Sequence, residues 1–412
     1  MFPDGRPYND ATFRKMRSDL YYEIARFLGY QAYNCRHCGE LDFLRELHAR
    51  GLGGLWKREY RRLRQHWEDT PEKGEHYYHR TTLLAYAGFA GDRNASFEES
   101  ESAYLAMERS LDRYYLISKL RITINRLIYA GIFYAGEAPP AADHLLSPEV
   151  VGKHLDDPLI TVYYQLYNLY ARGKEQYFAK LVESLHHLQG AEPDERYEIG
   201  SHVLNYALRR ANKGSFEFMK YAFKVYCALL ETDNLLLGGK LSGLRFTTVV
   251  RYGLALGKMK FVRRFIREMQ EFVAGENREG TIALAQATLR FYEGKYEQSV
   301  EALPEVERKH VFLDLSVRLL RFRIFFEQED EELENVYSSL KMKVHRLGKR
   351  KYLAPEYLEY YRRVVSVMGK LVRAVPGSDG REILGEAGDL PAELGNWVTR
   401  MVLLRKSSPV LR

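Results

Sequence analysis

The segment Ala287 to Leu303, ATLRFYEGKYEQSVEAL, decides the fold. One helix ends at Glu293-Gly294-Lys295, because glycine takes the left-handed backbone that commonly closes a helix. Tyr296, Ser299, Val300 and Leu303 then open a second stripe at helical spacing. The stretch Phe246 to Ile266, FTTVVRYGLALGKMKFVRRFI, repeats the arrangement around Gly257, with Val262 and Ile266 standing where Ser299 and Leu303 stand after Gly294. Ala211-Asn212-Lys213-Gly214 and Ala171-Arg172-Gly173 mark similar turns upstream. These glycines recur roughly forty residues apart, the period of a degenerate helical repeat.

Helical spacing extends outward from this pair of segments. Leu116, Leu120, Ile124, Leu127 and Tyr134 form one apolar stripe, while Arg113, Lys119, Arg121 and Arg126 fall largely elsewhere. Start signals agree with it. Ser96-Phe97-Glu98-Glu99 reads as a capping box, and Ser147-Pro148, Asp157-Pro158, Glu192-Pro193 and Ala354-Pro355 put proline where the first helical turn needs no donor. The 31 tyrosines and 20 phenylalanines recur at the same helical spacing, so a strand reading fails. Groups such as Tyr163, Tyr164, Tyr167 and Tyr170, or Tyr357, Tyr360 and Tyr361, read first as packing between helices and second as stacking surfaces for a ligand.

Composition bounds the class. A chain of 412 residues with 46% hydrophobic and 28% charged residues is folded, and large enough for two or three domains or one stacked array. No apolar run approaches the ~18 residues of a membrane span. Met1-Phe2-Pro3-Asp4-Gly5 lacks the basic and apolar segments of a secretory signal, and three cysteines cannot build a disulfide framework, so a reducing cytoplasm is expected.

The turn residues resemble tetratricopeptide repeats (TPR), whose helix pairs carry a small residue near the turn and an aromatic after it. Gly294 and Tyr296 match that turn, Ala287 and Ser299 its two small positions, and Phe246 its first aromatic. Arg290 and Ala283 depart from the pattern, and the period is longer than usual. The resemblance is best over residues 240 to 345 and thinner over 158 to 239. Together with Phe2-Pro3-Asp4-Gly5-Arg6-Pro7-Tyr8-Asn9-Asp10 and Arg14 to Leu20, these helix pairs resemble an uncharacterised bacterial family of TPR-like proteins. In that family the first motif follows a further N-terminal segment, which implies that this chain begins late.

Motifs for chemistry are sparse. Cys35-Arg36-His37-Cys38 has zinc-ligand spacing but no second pair, and Cys227 sits in an apolar helix, so no metal is assigned. Gly51-Leu52-Gly53-Gly54 lacks the third glycine of a dinucleotide loop, and Gly239-Lys240 and Gly257-Lys258 lack the Ser or Thr of a phosphate loop. No GxSxG or HExxH occurs, and His186-His187 reads as partly solvent-facing. Neither a cofactor nor a catalytic residue is expected. Acid groups such as Asp156-Asp157 and Glu329 to Glu332 read as helix caps or solvated faces.

Charge is more telling. The formal net charge is +7, yet Lys341 to Arg373 alone sets ten Lys and Arg against two Glu. Lys341, Lys343, Arg346, Lys349, Arg350 and Lys351 form a candidate basic interaction surface, able to attract an acidic partner or a phosphate backbone. A second cluster, Lys57, Arg58, Arg61, Arg62 and Arg64, lies on a helix whose Trp56, Tyr60, Leu63 and Trp67 form the buried stripe. Both read first as solvated helix faces, and second as surfaces for nucleic acid, protein or lipid.

The expected fold is all-α, a right-handed superhelix of antiparallel helix hairpins, that is, a TPR-like α-solenoid. Residues 1–90 form an N-terminal helical region, 91–375 the repeats, and 376–412 a loop with a last helix near Pro391 to Leu404 and a basic tail. The expected function is that of a non-enzymatic scaffold docking a peptide or partner protein, since stacked hairpins expose an extended surface. The alternative is a nucleic-acid-linked transcriptional regulator, because Phe2 to Leu28 is similar in layout to the end of a winged-helix module whose remaining helices are missing here.

Overall fold

Apolar residues at helical spacing become helices along most of the described residues. The computed structural model describes residues 9–35, 38–91, 97–133, 146–232, 234–307, 310–349, 355–375 and 380–407. Among the described residues there are nineteen α-helices and one pair of two-residue strands, an all-α protein. None of these helices is long and apolar enough to cross a membrane. Two compact units divide the chain, residues 1–167 with 189–192, and residues 168–188 with 193–412.

The first unit contains α1 (Asp10–Cys35), α2 (Cys38–Ala49), α3 (Gly53–Glu68), α4 (Glu75–Gly91), α5 (Phe97–Phe133) and the single turn α6 (Pro148–Val151). Leu44, Trp56, Leu63, Trp67 and Leu84 are buried together where α2, α3 and α4 meet, so the expected apolar stripe of α3 is the one that packs. Glycines on α4 make the close approach possible. A Cβ at Gly88 would lie 2.2 Å from the Tyr60 hydroxyl, and one at Gly91 2.2 Å from the Trp56 ring. The α5 stripe Leu116, Leu120, Ile124 and Leu127 is buried, whereas Tyr134 and the capping residue Ser96 lie outside the described residues. Proline and aspartate start the next helix as expected. α7 (Pro158–Arg172) begins after Asp157, whose Oδ1 accepts from the amides of Leu159 and Ile160 at 2.9 and 3.1 Å, while Oδ2 accepts from the Tyr78 hydroxyl.

The second unit runs as helix pairs. They are the end of α7 with α8 (Gln176–Ser184), α9 (Pro193–Ala211) with α10 (Phe216–Glu231), α11 (Gly243–Ala255) with α12 (Met259–Met269), α13 (Arg278–Tyr292) with α14 (Tyr296–Glu301), and α15 (Val311–Glu327) with α16 (Leu333–Lys349). α17 (Pro355–Arg373), α18 (Arg381–Ala387) and α19 (Ala392–Ser407) close the chain. Each of the four glycines read as turns has a positive φ: 62° at Gly173, 92° at Gly214, 71° at Gly257 and 74° at Gly294.

The turns at Gly214, Gly257 and Gly294 share one hydrogen-bond scheme. The Gly257 amide donates to the Leu254 carbonyl and that of Lys258 to the Gly253 carbonyl at 2.9 and 2.8 Å; Gly294 and Lys295 do the same to Phe291 and Arg290, both at 3.0 Å. These bonds satisfy carbonyls that a helix end leaves open. A fifth turn, at Glu329 with φ 53°, follows the same scheme without glycine.

Small residues fix how closely each pair closes. Ala287 and Ser299 are fully buried, and the Ser299 hydroxyl donates to the Ala287 carbonyl at 2.7 Å, joining α13 to α14. In the preceding pair a Cβ at Gly253 would lie 2.6 Å from the Val262 side chain, so α11 and α12 meet there. Phe246 and Val262 are fully buried, and Tyr296 and Leu303 are half-buried against the core. First helices also stack on first helices, α11 on α13 and α13 on α15. The residues that precede α11 and α13 run side by side as parallel strands, Leu241 opposite Val273 and Ser242 opposite Ala274. That bridge has no signal in the sequence.

Turn strain is directly testable. Gly294→Val costs about 1–2 kcal/mol in urea denaturation, because open space surrounds the glycine and only the left-handed backbone resists a side chain. Glu329→Gly stabilises by about 0.5 kcal/mol, since relief of a strain of roughly 1–2 kcal/mol exceeds the roughly 0.5–1 kcal/mol entropic cost of glycine. Loss of stability in Glu329→Gly would show that this turn is not strained.

Candidate functional site

The sequence AELGNWVTRMVLLRKS builds α19, and its apolar residues Leu394, Trp397, Val398, Met401 and Val402 are all buried. They do not close a hairpin with a neighbour in sequence alone. α19 packs on α18, α10 and α11, and its side chains reach α13, α15 and α17. It thus meets the first helices of successive pairs. Two glycines admit it: a Cβ at Gly214 would lie 1.9 Å from the Gly388 carbonyl oxygen, and one at Gly395 2.4 Å from that of Ala387.

At the centre of this contact is a buried ion pair. Arg323 of α15 donates from Nη1 to Glu393 Oε1 of α19 at 2.7 Å, and both side chains are only 5% exposed. Arg323 Nη2 donates to the Tyr292 hydroxyl at 3.2 Å, which donates in turn to Glu393 Oε1 at 3.3 Å. The half-buried Arg251 of α11 stands 3.9 Å from Glu393 Oε2. The guanidinium of Arg323 also lies over the rings of Phe291, Tyr292 and Trp397 at 4.7, 5.5 and 5.2 Å. Such faces attract a cation and replace part of its lost hydration.

Electrostatics follow from this geometry. Burial alone would raise the Glu393 carboxyl, but the charges of Arg323 and Arg251 and hydrogen bonds from Arg323 and Tyr292 outweigh it, holding the group below the usual carboxylate range. Burial pushes the Tyr292 hydroxyl up. One turn further along α19, Trp397 Nε1 and Arg400 donate to Glu327 Oε1 at 2.6 and 2.7 Å, and Tyr296 donates to Oε2 at 2.8 Å. Tyr296, first read as a repeat position, therefore also orients the carboxylate that receives α19. Arg405 ends the contact, donating to the Leu371 carbonyl of α17 at 2.9 Å.

The residues singled out in the sequence are dispersed by comparison. Phe246, Val262, Ala287 and Ser299 lie inside the helix pairs, and Gly257 and Gly294 at their turns. Of the basic cluster, Lys341, Arg346 and Lys349 are exposed on α16, whereas Lys343 turns inward to an ion pair with Asp314. Arg350 and Lys351 lie outside the described residues, as do the side chains of Cys35, Cys38, His186 and His187. Cys227 is half-buried, and burial raises its thiol to about 11. On α3, Arg58 and Arg62 pair with Glu59, and Arg62 also with Glu40. Tyr163 and Tyr167 are buried, in line with the packing reading.

Sequence reasoning missed Arg323 and Glu393. Glu393 follows Pro391 like any first-turn acid, and Arg323 is one of three arginines in the largely apolar stretch Val317 to Phe326, VRLLRFRIFF. An arginine inside the apolar run Leu319 to Phe326 was the available signal, because a charge there must find a partner.

Removing one member of the pair leaves the other buried and uncompensated. Glu393→Gln lowers stability by about 3–5 kcal/mol in chemical denaturation, and adding Arg323→Met restores most of it. The pH dependence has a definite sign. Because the folded Glu393 carboxyl titrates below its unfolded value, its contribution is present above about pH 4.3 and is lost as pH falls through the folded pKa. Melting temperatures measured from pH 7 to pH 3 therefore fall more steeply for the parent than for Glu393→Gln.

Comparison of the chain with family models, curated proteins and solved structures found no match.

Proposed function

We propose that this chain is a non-enzymatic docking scaffold whose helix pairs form a TPR-like, right-handed α-solenoid that receives a helical segment of a partner protein. The observation that carries this reading is the seating of α19 across the first helices of successive pairs. That face takes an amphipathic helix through buried apolar side chains, one carboxylate and one indole, and these are the ingredients of an interface hot spot. The left-handed turns at Gly173, Gly214, Gly257 and Gly294 and the Ala287–Ser299 contact support the repeat assignment.

A partner helix reading the same face would present an acid at the position of Glu393, an aromatic one turn later at that of Trp397, and a cation at that of Arg400. It would compete with α19. The exposed Lys341, Arg346 and Lys349 of α16 add a basic surface on a second helix of a pair, suited to long-range attraction of an acidic partner and weakened by salt.

A synthetic peptide of residues 389–407 tests the reading by fluorescence anisotropy. The full chain carrying Trp397→Ala and Arg400→Ala, which loosen the resident helix, binds the peptide at micromolar concentration, and the parent binds it at least about tenfold more weakly because of intramolecular competition. If the loosened chain keeps its helical circular dichroism yet binds no peptide, the face does not accept a helix in trans and the proposal fails.

A further inference from the structure

The first unit holds a cleft of about 720 Å³ bounded by α3, α4 and the start of α5. Its volume is within the roughly 300–1,000 Å³ typical of small-molecule sites. Two stripes of α3 meet at its wall. Trp56 and Trp67 line it with their rings almost wholly buried, Tyr60 is half-buried, and Lys57, Arg61 and Arg64 line the cleft beside them. At i, i+4 and i+7 these cations follow one side of the helix over about 10 Å.

Two further observations point to a ligand. Trp67 is 6% exposed, lines the cleft, and its indole Nε1 has no hydrogen-bond partner. A buried donor left unmade costs about 1–3 kcal/mol, so an acceptor in the cleft would remove a standing penalty. Arg61 is exposed and has no ion-pair partner among the described residues, although its neighbours Arg62 and Arg64 pair with Glu59 and Glu68. Arg64 and Glu68 are both more than half exposed, and such a pair exchanges readily for a better anion. Glu68 and Glu98 are the acids of the lining, against three cations. Across the cleft Phe89 is 37% exposed and Tyr77 is half-buried, so ring surface remains open to stacking.

We propose that this cleft binds a mononucleotide, its base laid against the open ring surface of α4, its phosphates on Arg61 and Arg64, and an acceptor of the ligand on Trp67 Nε1. A planar aromatic ring joined to an anion is the ligand chemistry that matches all three features. Aromatic faces take any base, and arginine forks suit phosphate oxygens. The same chemistry is also offered by a single strand of nucleic acid, and a volume of about 720 Å³ matches one nucleotide.

The test is titration of the full chain with ADP, read by tryptophan fluorescence and by calorimetry, beside a twelve-base oligothymidylate and inorganic phosphate. Of the three tryptophans, Trp56 and Trp67 line the cleft, so a saturable fluorescence change is expected with ADP. Arg61→Glu weakens ADP binding by roughly tenfold or more, and Trp67→Phe, which keeps a ring and deletes the donor, by about fivefold. Lys260→Glu on α12, an exposed position, leaves binding unchanged. Both cleft variants are checked for parental melting temperature, and a variant that melts early is replaced by Arg64→Gln, for which weakening is again expected. The assignment is overturned if ADP does not saturate at millimolar concentration, if phosphate alone binds as well as ADP, if the oligonucleotide binds and ADP does not, or if Arg61→Glu binds ADP like the parent.

Discussion

The seating of the last helix depends on one buried interaction, the ion pair between Arg323 and Glu393. A guanidinium placed within the apolar face of α15 cannot remain without an anion, because the cost of stripping its water exceeds what packing returns. Glu393 is that anion, and it sits near the start of α19. Once it is placed, Trp397 and Arg400 fall one and two turns along the same helix, onto Glu327. The pair thus sets both the position and the register of the last helix. Its worth lies in specificity more than in net stability, since two apolar residues could fill the same volume at little cost.

That arrangement is possible because the preceding helix pairs present their first helices in succession. Left-handed turns return the chain sharply, and the Ser299 hydroxyl on the Ala287 carbonyl draws α13 and α14 close. α11, α13 and α15 then lie next to one another, bringing Arg251, Tyr292 and Arg323 around one carboxylate. A helix-binding scaffold and a self-binding C-terminal helix are compatible roles for such a face. Under the proposed docking function, the resident helix would set the affinity that a partner must exceed, and its charged residues would make the competition specific.

Local features of this protein were legible in the sequence, and long-range ones were not. Gly173, Gly214, Gly257 and Gly294 announced their turns because glycine alone enters the left-handed region freely. The fifth turn was invisible, since Glu329 in an acidic run carries no such signal; its neighbour Asp330 does act as a cap, accepting from the Glu332 amide. The stripe of α3 was readable from period alone, and Trp56, Leu63 and Trp67 are buried accordingly. Charge was readable as composition only. Lys343 belongs to the basic run, yet Asp314 of the neighbouring helix turns it inward, and nothing local distinguishes it from Lys341. Likewise the unpartnered indole of Trp67 depends on what α4 and α5 bring against it, so α3 read alone gives a buried stripe and not a cleft.

The central claim is that α19 is an occupant of a face that stays folded without it, and native-state hydrogen exchange in the parent chain tests this most directly. With increasing urea below the unfolding transition, amides of residues 392–407 should exchange through an opening of lower free energy and smaller urea slope than those of residues 278–327. Exchange of both segments through a single opening, with one free energy and one slope, would contradict it and make α19 an inseparable part of the core.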